Sequence, residues 1–189
     1  DYNETHHALS GYEMIDAVKG AIATNEVNAA MGIICATPTA GSSGTIPGAL
    51  FKLEKTHDLT EEQMIDFLFT SALFGRVVAN NASVAGATGG CQAEVGSASA
   101  MAAAAAVPRF GGSPEASGHA MALAISNLLG LVCDPVAGLV EIPCVMRNAI
   151  GSGNALISAD LALAGIESRI PVDEVIEAMD KVGRNLPAS

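Results

Sequence analysis

The stretch Gly96-Ser97-Ala98-Ser99-Ala100-Met101-Ala102-Ala103-Ala104-Ala105-Ala106-Val107 decides the fold class of this 189-residue chain. Alanine has the highest intrinsic helix propensity, and no charged residue interrupts the run. Because its side chains are so small, the backbones of neighbouring helices can come close to it. The stretch therefore predicts a thin, buried helix against which other helices pack.

Start signals mark three further helices. Thr60-Glu61-Glu62-Gln63 predicts a capping box with Thr60 as the N-cap. An apolar stripe at helical spacing follows it: Met64, Ile65, Leu68, Phe69, Ala72 and Leu73. Ser113-Pro114-Glu115 predicts a helix that has Pro114 at its first position and ends at Gly130. Pro171 precedes the third helix, whose inward residues are expected to be Val172, Val175, Ile176 and Met179.

Clear alternation of apolar and polar residues, the sign of a strand, is missing. Clusters of Gly, Ser and Pro predict loops at 37–48, 85–90, 108–114 and 134–143. We therefore expect a compact, all-α fold rich in Ala and Gly. It should form a single catalytic domain over residues 1–189, with its site carried by these loops.

Composition disfavours several classes of function. Half of the residues are hydrophobic but only 4% are aromatic, and the net charge is −11. A chain this acidic cannot neutralise a phosphate backbone, so no nucleic acid is expected as a partner. The apolar stretch 120–133, which has no charge or proline, is too short and too polar to span a membrane. Residues 1–7 carry no secretion signal, and four cysteines without one fit the cytoplasm.

Three cysteines stand in loops of small residues, with the spacing C-x41-C-x10-C: Cys91, Cys133 and Cys144. Thiolates are soft ligands that suit iron–sulfur clusters, zinc or copper(I). Three of them could hold a cube-shaped cluster and leave one iron open as a Lewis acid. The alternative is that they are ordinary buried cysteines, which are common in protein cores.

The sequence motifs around these cysteines are long and unusual. They comprise Asn25–Gly32, Ala36–Gly44, Gly89–Gly96 and Gly130–Gly138, continuing through Cys144 to Arg147-Asn148-Ala149. Together they resemble the α subunit, or α domain, of the iron–sulfur-dependent L-serine dehydratases (L-serine ammonia-lyases), a likeness that runs from about Asn25 to Ser189. The chain starts without a methionine, and the family continues beyond Ser189. The resemblance therefore implies truncation at both ends.

The resemblance implies deamination of L-serine to pyruvate and ammonia, in amino-acid catabolism that supplies gluconeogenesis. It further implies a [4Fe-4S] cluster that acts as a Lewis acid on Cys91, Cys133 and Cys144. Cys35 matches no ligand and is expected to pack as a small apolar residue. A β subunit or β domain of the same enzyme is the implied partner, and we expect an oligomer.

The loop from Thr37 to Thr45 offers hydroxyls and backbone N–H groups that could form an anion nest. On local features alone, a Ser/Thr-rich turn that caps a helix explains it as well. With the family resemblance, we favour binding of the substrate carboxylate by Ser42, Ser43 and Thr45, and orientation of the substrate by the Asn148 amide.

Glu94 lies one helical turn after Cys91 and is the candidate catalytic acid or base. The alternative is a carboxylate that favours the helix dipole. The four histidines show no catalytic or metal-binding spacing, so the general base could instead come from the β partner.

Two other functions remain open. A pyridoxal phosphate dehydratase needs a lysine for its Schiff base, but the available lysines stand beside polar residues: Lys19, Lys52, Lys55 and Lys181. A non-enzymatic helical assembly fragment would use the cysteines only for packing.

Overall fold

The computed structural model describes residues 5–133 and 142–186, and within these ranges it contains helices and no strand. The all-α prediction is confirmed. The α-helices are α1 (Gly11–Ala29), α2 (Thr45–His57), α3 (Glu61–Asn81), α4 (Gly86–Cys91), α5 (Ser97–Arg109), α6 (Pro114–Asn127), α7 (Ile142–Leu163) and α8 (Val172–Arg184). A π-helical segment, Gln92–Gly96, joins α4 to α5.

The alanine stretch forms α5, and every residue from 97 to 107 is buried. Helices α2, α3, α6 and α7 pack against it, while α1 packs on α2 and α7. Larger side chains from the surrounding helices fill the space around the methyl surface of α5, among them Ile46, Phe67, Met121, Ile125 and Ile176. The thin central helix therefore lets several others share one core.

The predicted helix starts are confirmed by their hydrogen bonds. Thr60 accepts a hydrogen bond from the Gln63 backbone N–H at 3.3 Å, and the Thr60 N–H donates to Gln63 Oε1 at 2.9 Å. Ser113 caps α6, with Pro114 at its start. In α8 the residues Val175, Ile176 and Met179 are buried as expected.

Helix α3 turns a different face inward from the one that its apolar stripe suggested. Its buried residues are Phe67, Ser71, Gly75 and Val78. The stripe residues Ile65, Leu68, Phe69 and Leu73 are instead 43–70% exposed. A Cβ on Gly75 would lie 2.6 Å from the Met101 methyl group. The close approach to α5 therefore selects small residues, which apolar periodicity does not mark.

All four loop predictions need correction at their edges. Residues 45–48 belong to α2 and residues 86–90 to α4. Residues 108–109 belong to α5, Pro114 to α6, and Pro143 to the first turn of α7. Helix α2 begins inside the predicted loop because the Asn148 side chain, from a distant helix, accepts the Gly44 N–H at 3.0 Å. Most of the predicted loop at 134–143 lies outside the described residues. Cys35 is exposed rather than packed in the core.

No helix among the described residues is long and apolar enough to cross a membrane.

Enlarging a methyl group on α5 should destabilise the protein. Ala103 is fully buried, so Ala103→Leu is expected to lower the free energy of unfolding by about 1–3 kcal/mol through overpacking. Urea unfolding measures the change. Ala23→Leu, at an exposed position of α1, is the matched control and should change it by less than about 0.5 kcal/mol. Equal effects of the two substitutions would contradict the central role of α5.

Candidate functional site

Cys91, Cys133 and Cys144 line one cavity of about 470 Å³. Three separate segments supply them: the end of α4, the chain after α6, and the first turn of α7. The other lining residues come from α1, the loop before α2, α4, the π-helical segment and α7: Asn25, Asn28, Ala29, Met31, Ala40, Gly41, Gly86, Ala87, Glu94, Pro143 and Arg147. The sequence expectation that the three cysteines converge on one cavity is met.

A sharp turn at Gly90 positions Cys91. Gly90 has φ 76° and ψ 177°, which interrupts α4 just before the cysteine. A side chain there would be strained by this φ, and its Cβ would lie 2.8 Å from the Leu131 carbonyl oxygen. The chain therefore requires glycine here in order to turn Cys91 towards the cavity.

The buried side chain of Gln92 holds this turn in place by three hydrogen bonds. Its Nε2 donates to the carbonyls of Gly89 at 3.0 Å and Met179 at 2.9 Å. Its Oε1 accepts the Gly130 N–H at 2.8 Å, and its own backbone N–H donates to the Leu131 carbonyl at 2.9 Å. Gln92 thereby links the Cys91 turn to the segment that leads to Cys133, a role that sequence reasoning missed.

Burial controls the chemistry of two of the thiols. It raises the pKa of Cys144 to about 12, and the nearby Cys91, Glu94 and Cys133 act in the same direction. Burial also raises the pKa of Cys91, although a hydrogen bond from Arg147 opposes it. In the absence of metal both thiols are therefore protonated at neutral pH, and a metal must displace these protons when it binds.

Glu94 shares the cavity with the cysteines. It lies in the π-helical segment, is partly buried, and accepts a hydrogen bond from the Thr39 hydroxyl. Its carboxylate packs so closely that a Cβ on Gly41 or Gly86 would lie 2.7 Å or 2.5 Å from one of its oxygens. Both neighbouring residues must therefore be glycine for Glu94 to sit here. Thr39 was not singled out from the sequence, although it lies in the quoted Ser/Thr loop.

The Ser/Thr loop reaches the cavity by its backbone rather than by its hydroxyls. Ser42, Ser43 and Thr45 are fully buried and are not lining residues. The Ser42 hydroxyl lies 3.1 Å from the Thr37 carbonyl oxygen, to which it donates, and Thr45 donates to Asn148 Oδ1 at 2.9 Å. Because buried hydroxyls must find hydrogen-bond partners, these side chains stabilise the conformation of the loop.

Asparagine amides hold the carbonyls of the loop. Asn28 donates to the Ala40 carbonyl at 3.1 Å. Asn25 and Asn148 donate to the Gly41 carbonyl at 3.3 Å and 2.7 Å. In a planar trans peptide the following N–H points away from the carbonyl, so the next two N–H groups face away from these amides.

Within the described residues, the N–H groups of Ala40, Gly41 and Ser42 make no hydrogen bond. Ala40 and Gly41 line the cavity, and consecutive free N–H groups form the kind of nest that binds an anion. Asn148 itself is fully buried and has no polar atom left for a substrate. The structure thus offers backbone N–H groups where the sequence suggested side chains.

The chemistry of the donor set is compatible with an iron–sulfur cluster. Over residues 5–133 and 142–186, no three His, Cys, Asp or Glu side chains are grouped closely enough to hold one ion. A cube-shaped cluster places each cysteine on a different iron, so it accepts more widely spaced thiolates. Three thiols in one cavity, with no histidine in its lining, have this chemistry.

The thiols of metal-free protein should differ sharply in reactivity. With iodoacetamide at pH 8, the exposed Cys35 should react first, and Cys144 at least about a hundredfold more slowly, because little thiolate forms at a pKa of about 12. Mass spectrometry of proteolytic peptides measures each rate. In denaturant all four cysteines should react alike; similar native rates for Cys35 and Cys144 would contradict this description of the cavity.

The chain was compared with known proteins. The family model described as "Serine dehydratase alpha chain" matches residues 2–189. The "Probable L-serine dehydratase, alpha chain" of Bacillus subtilis (strain 168) is 64% identical over 188 residues, covering 100% of this chain and 63% of that protein. The protein of the same name from Latilactobacillus sakei is 66% identical over 176 residues, covering 93% of this chain and 84% of that one.

The "L-serine dehydratase, alpha chain" of Peptoniphilus asaccharolyticus is 50% identical over 186 residues, covering 98% of this chain and 64% of that protein. The chain thus spans slightly under two thirds of the length of the Bacillus and Peptoniphilus relatives. Because the family model covers nearly all of its residues, the chain belongs to the serine dehydratase alpha chain family.

Proposed function

We propose that this chain is the catalytic α part of an L-serine dehydratase, which converts L-serine to pyruvate and ammonia. The observation that carries the proposal is the single cavity lined by Cys91, Cys133, Cys144 and Glu94 and by a loop with free N–H groups. Membership of the family, and the names of its relatives, support the same substrate and reaction.

Cys91, Cys133 and Cys144 would hold a [4Fe-4S] cluster. When bound, such a cluster supplies a Lewis-acidic iron that carries no cysteine and eases departure of a poor leaving group such as hydroxide. Arg147 also lines the cavity, donates to the Val132 carbonyl at 2.5 Å and hydrogen-bonds Cys91. Its positive charge would offset part of the negative charge that thiolates bring.

The loop would bind the substrate carboxylate. The N–H groups of Ala40 and Gly41, which line the cavity and make no hydrogen bond within the described residues, would supply the donors. Ser42, Ser43, Thr45 and Asn148 would serve the substrate indirectly, because their hydrogen bonds keep the loop in shape. A carboxylate fixed in this way would hold Cα at a constant position in the cavity.

The reaction requires removal of the Cα proton and loss of hydroxide from Cβ, which together release water. The resulting enamine tautomerises to an imine, and water hydrolyses the imine to pyruvate and ammonia without further catalysis. Glu94 would take the Cα proton, because its carboxylate lies in the cavity wall and the Thr39 hydroxyl orients it. The alternative base is a group of the β partner.

The pyridoxal phosphate alternative has less support. Among the described residues no lysine lines the cysteine cavity. Lys19, Lys55 and Lys181 have side chains 64–68% exposed and form ion pairs, and Lys52 pairs with Glu13 in a different cavity. The non-enzymatic alternative, a helical assembly fragment, would need the same cysteines to remain without iron.

We infer that a β subunit or β domain completes the enzyme and that the assembly is an oligomer in the cytoplasm, where reduced thiols persist. All three relatives described above are named as alpha chains of an L-serine dehydratase or of a probable one. An exposed apolar row on α7 begins next to the cavity, at Ile142, and continues through Met146 and Ile150. Such a row is a candidate docking surface for the partner. The pyruvate formed would enter amino-acid catabolism and gluconeogenesis.

Loss of a ligand cysteine should abolish iron binding. After anaerobic reconstitution with iron and sulfide, Cys133→Ser is expected to lose most of its iron and the broad absorption near 400 nm, because a hydroxyl is a poor iron–sulfur ligand. Cys35→Ser is the matched control and should keep both. Iron and sulfide analysis measures the difference, and an iron-free wild-type protein would refute the proposed function.

Neutralising Glu94 should separate proton transfer from cluster binding. Glu94→Gln keeps an oxygen to accept from Thr39 but removes the base, so kcat should fall about a hundredfold or more while the iron content stays unchanged. Glu26→Gln, at an exposed position of α1, should behave as wild type. Unchanged turnover in Glu94→Gln would assign the base to the β partner.

The isolated chain should be poorly active and should gain activity with a β partner. We expect serine turnover by the reconstituted chain alone to be low and to rise when the β subunit of a relative is added, because the partner would then close the cavity. Turnover is followed by pyruvate formation under anaerobic conditions. Full activity from the chain alone would contradict the need for a partner.

A further inference from the structure

Asn148 connects two parts of the site that are far apart in sequence. Its side chain is fully buried on α7, one helical turn after Cys144. The amide Nδ2 donates to the Gly41 carbonyl at 2.7 Å and to the Cys144 carbonyl at 2.7 Å. The amide oxygen accepts from the Gly44 N–H at 3.0 Å and from the Thr45 hydroxyl at 2.9 Å.

These four hydrogen bonds exhaust the capacity of an asparagine side chain, which has two N–H donors and an oxygen with two lone pairs. They also settle the orientation of the amide. Two carbonyl oxygens on one side require the NH₂ group, and an N–H and a hydroxyl on the other side require the oxygen. A flipped amide would place like groups together and leave buried polar atoms unpaired, at a considerable cost in stability.

The hydrogen bonds of Asn148 connect two separate segments of the site. In the part of the chain that the structure describes, Asn148 is the side chain that hydrogen-bonds both the loop and the Cys144 turn. Asn25 and Asn28 hold the same loop, but from α1. Ser152, one turn further along α7, donates to the Thr45 carbonyl at 2.8 Å. It therefore contacts the first residue of α2, which follows the loop.

We propose that Asn148 is a positioning residue that ties the cavity face of the loop to the first turn of α7. It thereby keeps the N–H groups of Ala40 and Gly41, which line the cavity, at a fixed place relative to Cys144. This inference rests on the proposed function in one respect, namely that these N–H groups receive the substrate carboxylate. Sequence analysis had Asn148 contacting the substrate; the structure assigns it to the framework behind the substrate.

Asn154 provides a matched control on the same helix. Its Nδ2 donates to the Ser99 hydroxyl at 2.8 Å and to the Ala124 carbonyl at 3.0 Å, and its Oδ1 accepts from Asn127 at 2.8 Å. It is therefore a second bridging asparagine, although it is only partly buried, and it joins α7 to α5 and α6 and does not line the cavity. Its loss should weaken packing without moving the loop.

The first experiment measures amide hydrogen exchange over residues 43–45, whose N–H groups are hydrogen-bonded, by mass spectrometry in protein purified without metal. Asn148→Ala should speed exchange of these amides by about tenfold or more relative to wild type, because the Gly44 N–H and the Gly41 carbonyl lose their partner. Asn154→Ala should leave the segment at the wild-type rate. Equal exchange in the two variants would overturn the proposal.

Asn148→Asp provides a second test if the alanine variant does not fold. Aspartate keeps the shape and the acceptor for Gly44 and Thr45 but loses both donors. It also places negative charge against the Gly41 and Cys144 carbonyls. The exchange increase should then appear at Ser43 and Thr45, whose N–H groups donate to carbonyls of the loop, while Gly44 stays closer to wild type. Wild-type exchange over the whole segment would overturn the proposal.

The second experiment uses the anaerobically reconstituted enzyme with its partner. Asn148→Asp should retain its iron, because the three cysteines are intact, while KM for L-serine rises about tenfold or more and kcat falls less. Asn154→Ala should keep the wild-type KM. A wild-type KM in Asn148→Asp would overturn the positioning role. If the wild-type protein takes up no iron, the proposed function fails, and the exchange experiment alone decides the role of Asn148.

Discussion

The alanine-rich helix α5 imposes the constraint on which the rest of the structure depends. Its side chains are so small that α2, α3, α6 and α7 all approach its backbone. Methyl surfaces of this kind pack closely but give little directional preference, because dispersion contacts depend on distance rather than on orientation. The register of the surrounding helices must therefore be set by other contacts.

Buried amide side chains supply that directional preference. Gln92 joins the Cys91 turn to α8 and to the segment before Cys133. Asn148 joins the Cys144 turn to the loop before α2, and Asn154 joins α7 to α5 and α6. Because an unpaired buried amide is costly, each of these hydrogen-bonded side chains restricts the arrangement of its neighbours. The same contacts that set the helix register therefore also place the cavity walls.

The cavity combines features that a simple packing role would not require. A π-helical segment directly follows Cys91 and brings Glu94 against two glycines, where any side chain would collide with its carboxylate. Such segments cost helix stability and are frequent at functional sites. The loop opposite leaves three consecutive N–H groups unpaired within the described residues. Both features agree with the proposal that the cavity binds a substrate through its carboxylate.

The sequence by itself determined the helical class, the capped starts of α3 and α6, the inward face of α8 and the three cysteines that share a cavity. These depend on local propensity, on short capping motifs and on residue types with particular chemistry. Tertiary structure alone decided that α3 buries Phe67, Ser71, Gly75 and Val78, that Cys35 is exposed, and that Ser42, Ser43 and Thr45 turn inward. The physical reason is that each of these outcomes depends on a partner distant in sequence. Met101 selects Gly75 on α3, and Asn148, more than a hundred residues away, supplies the hydrogen bonds that draw Thr45 and the Gly44 N–H into the interior.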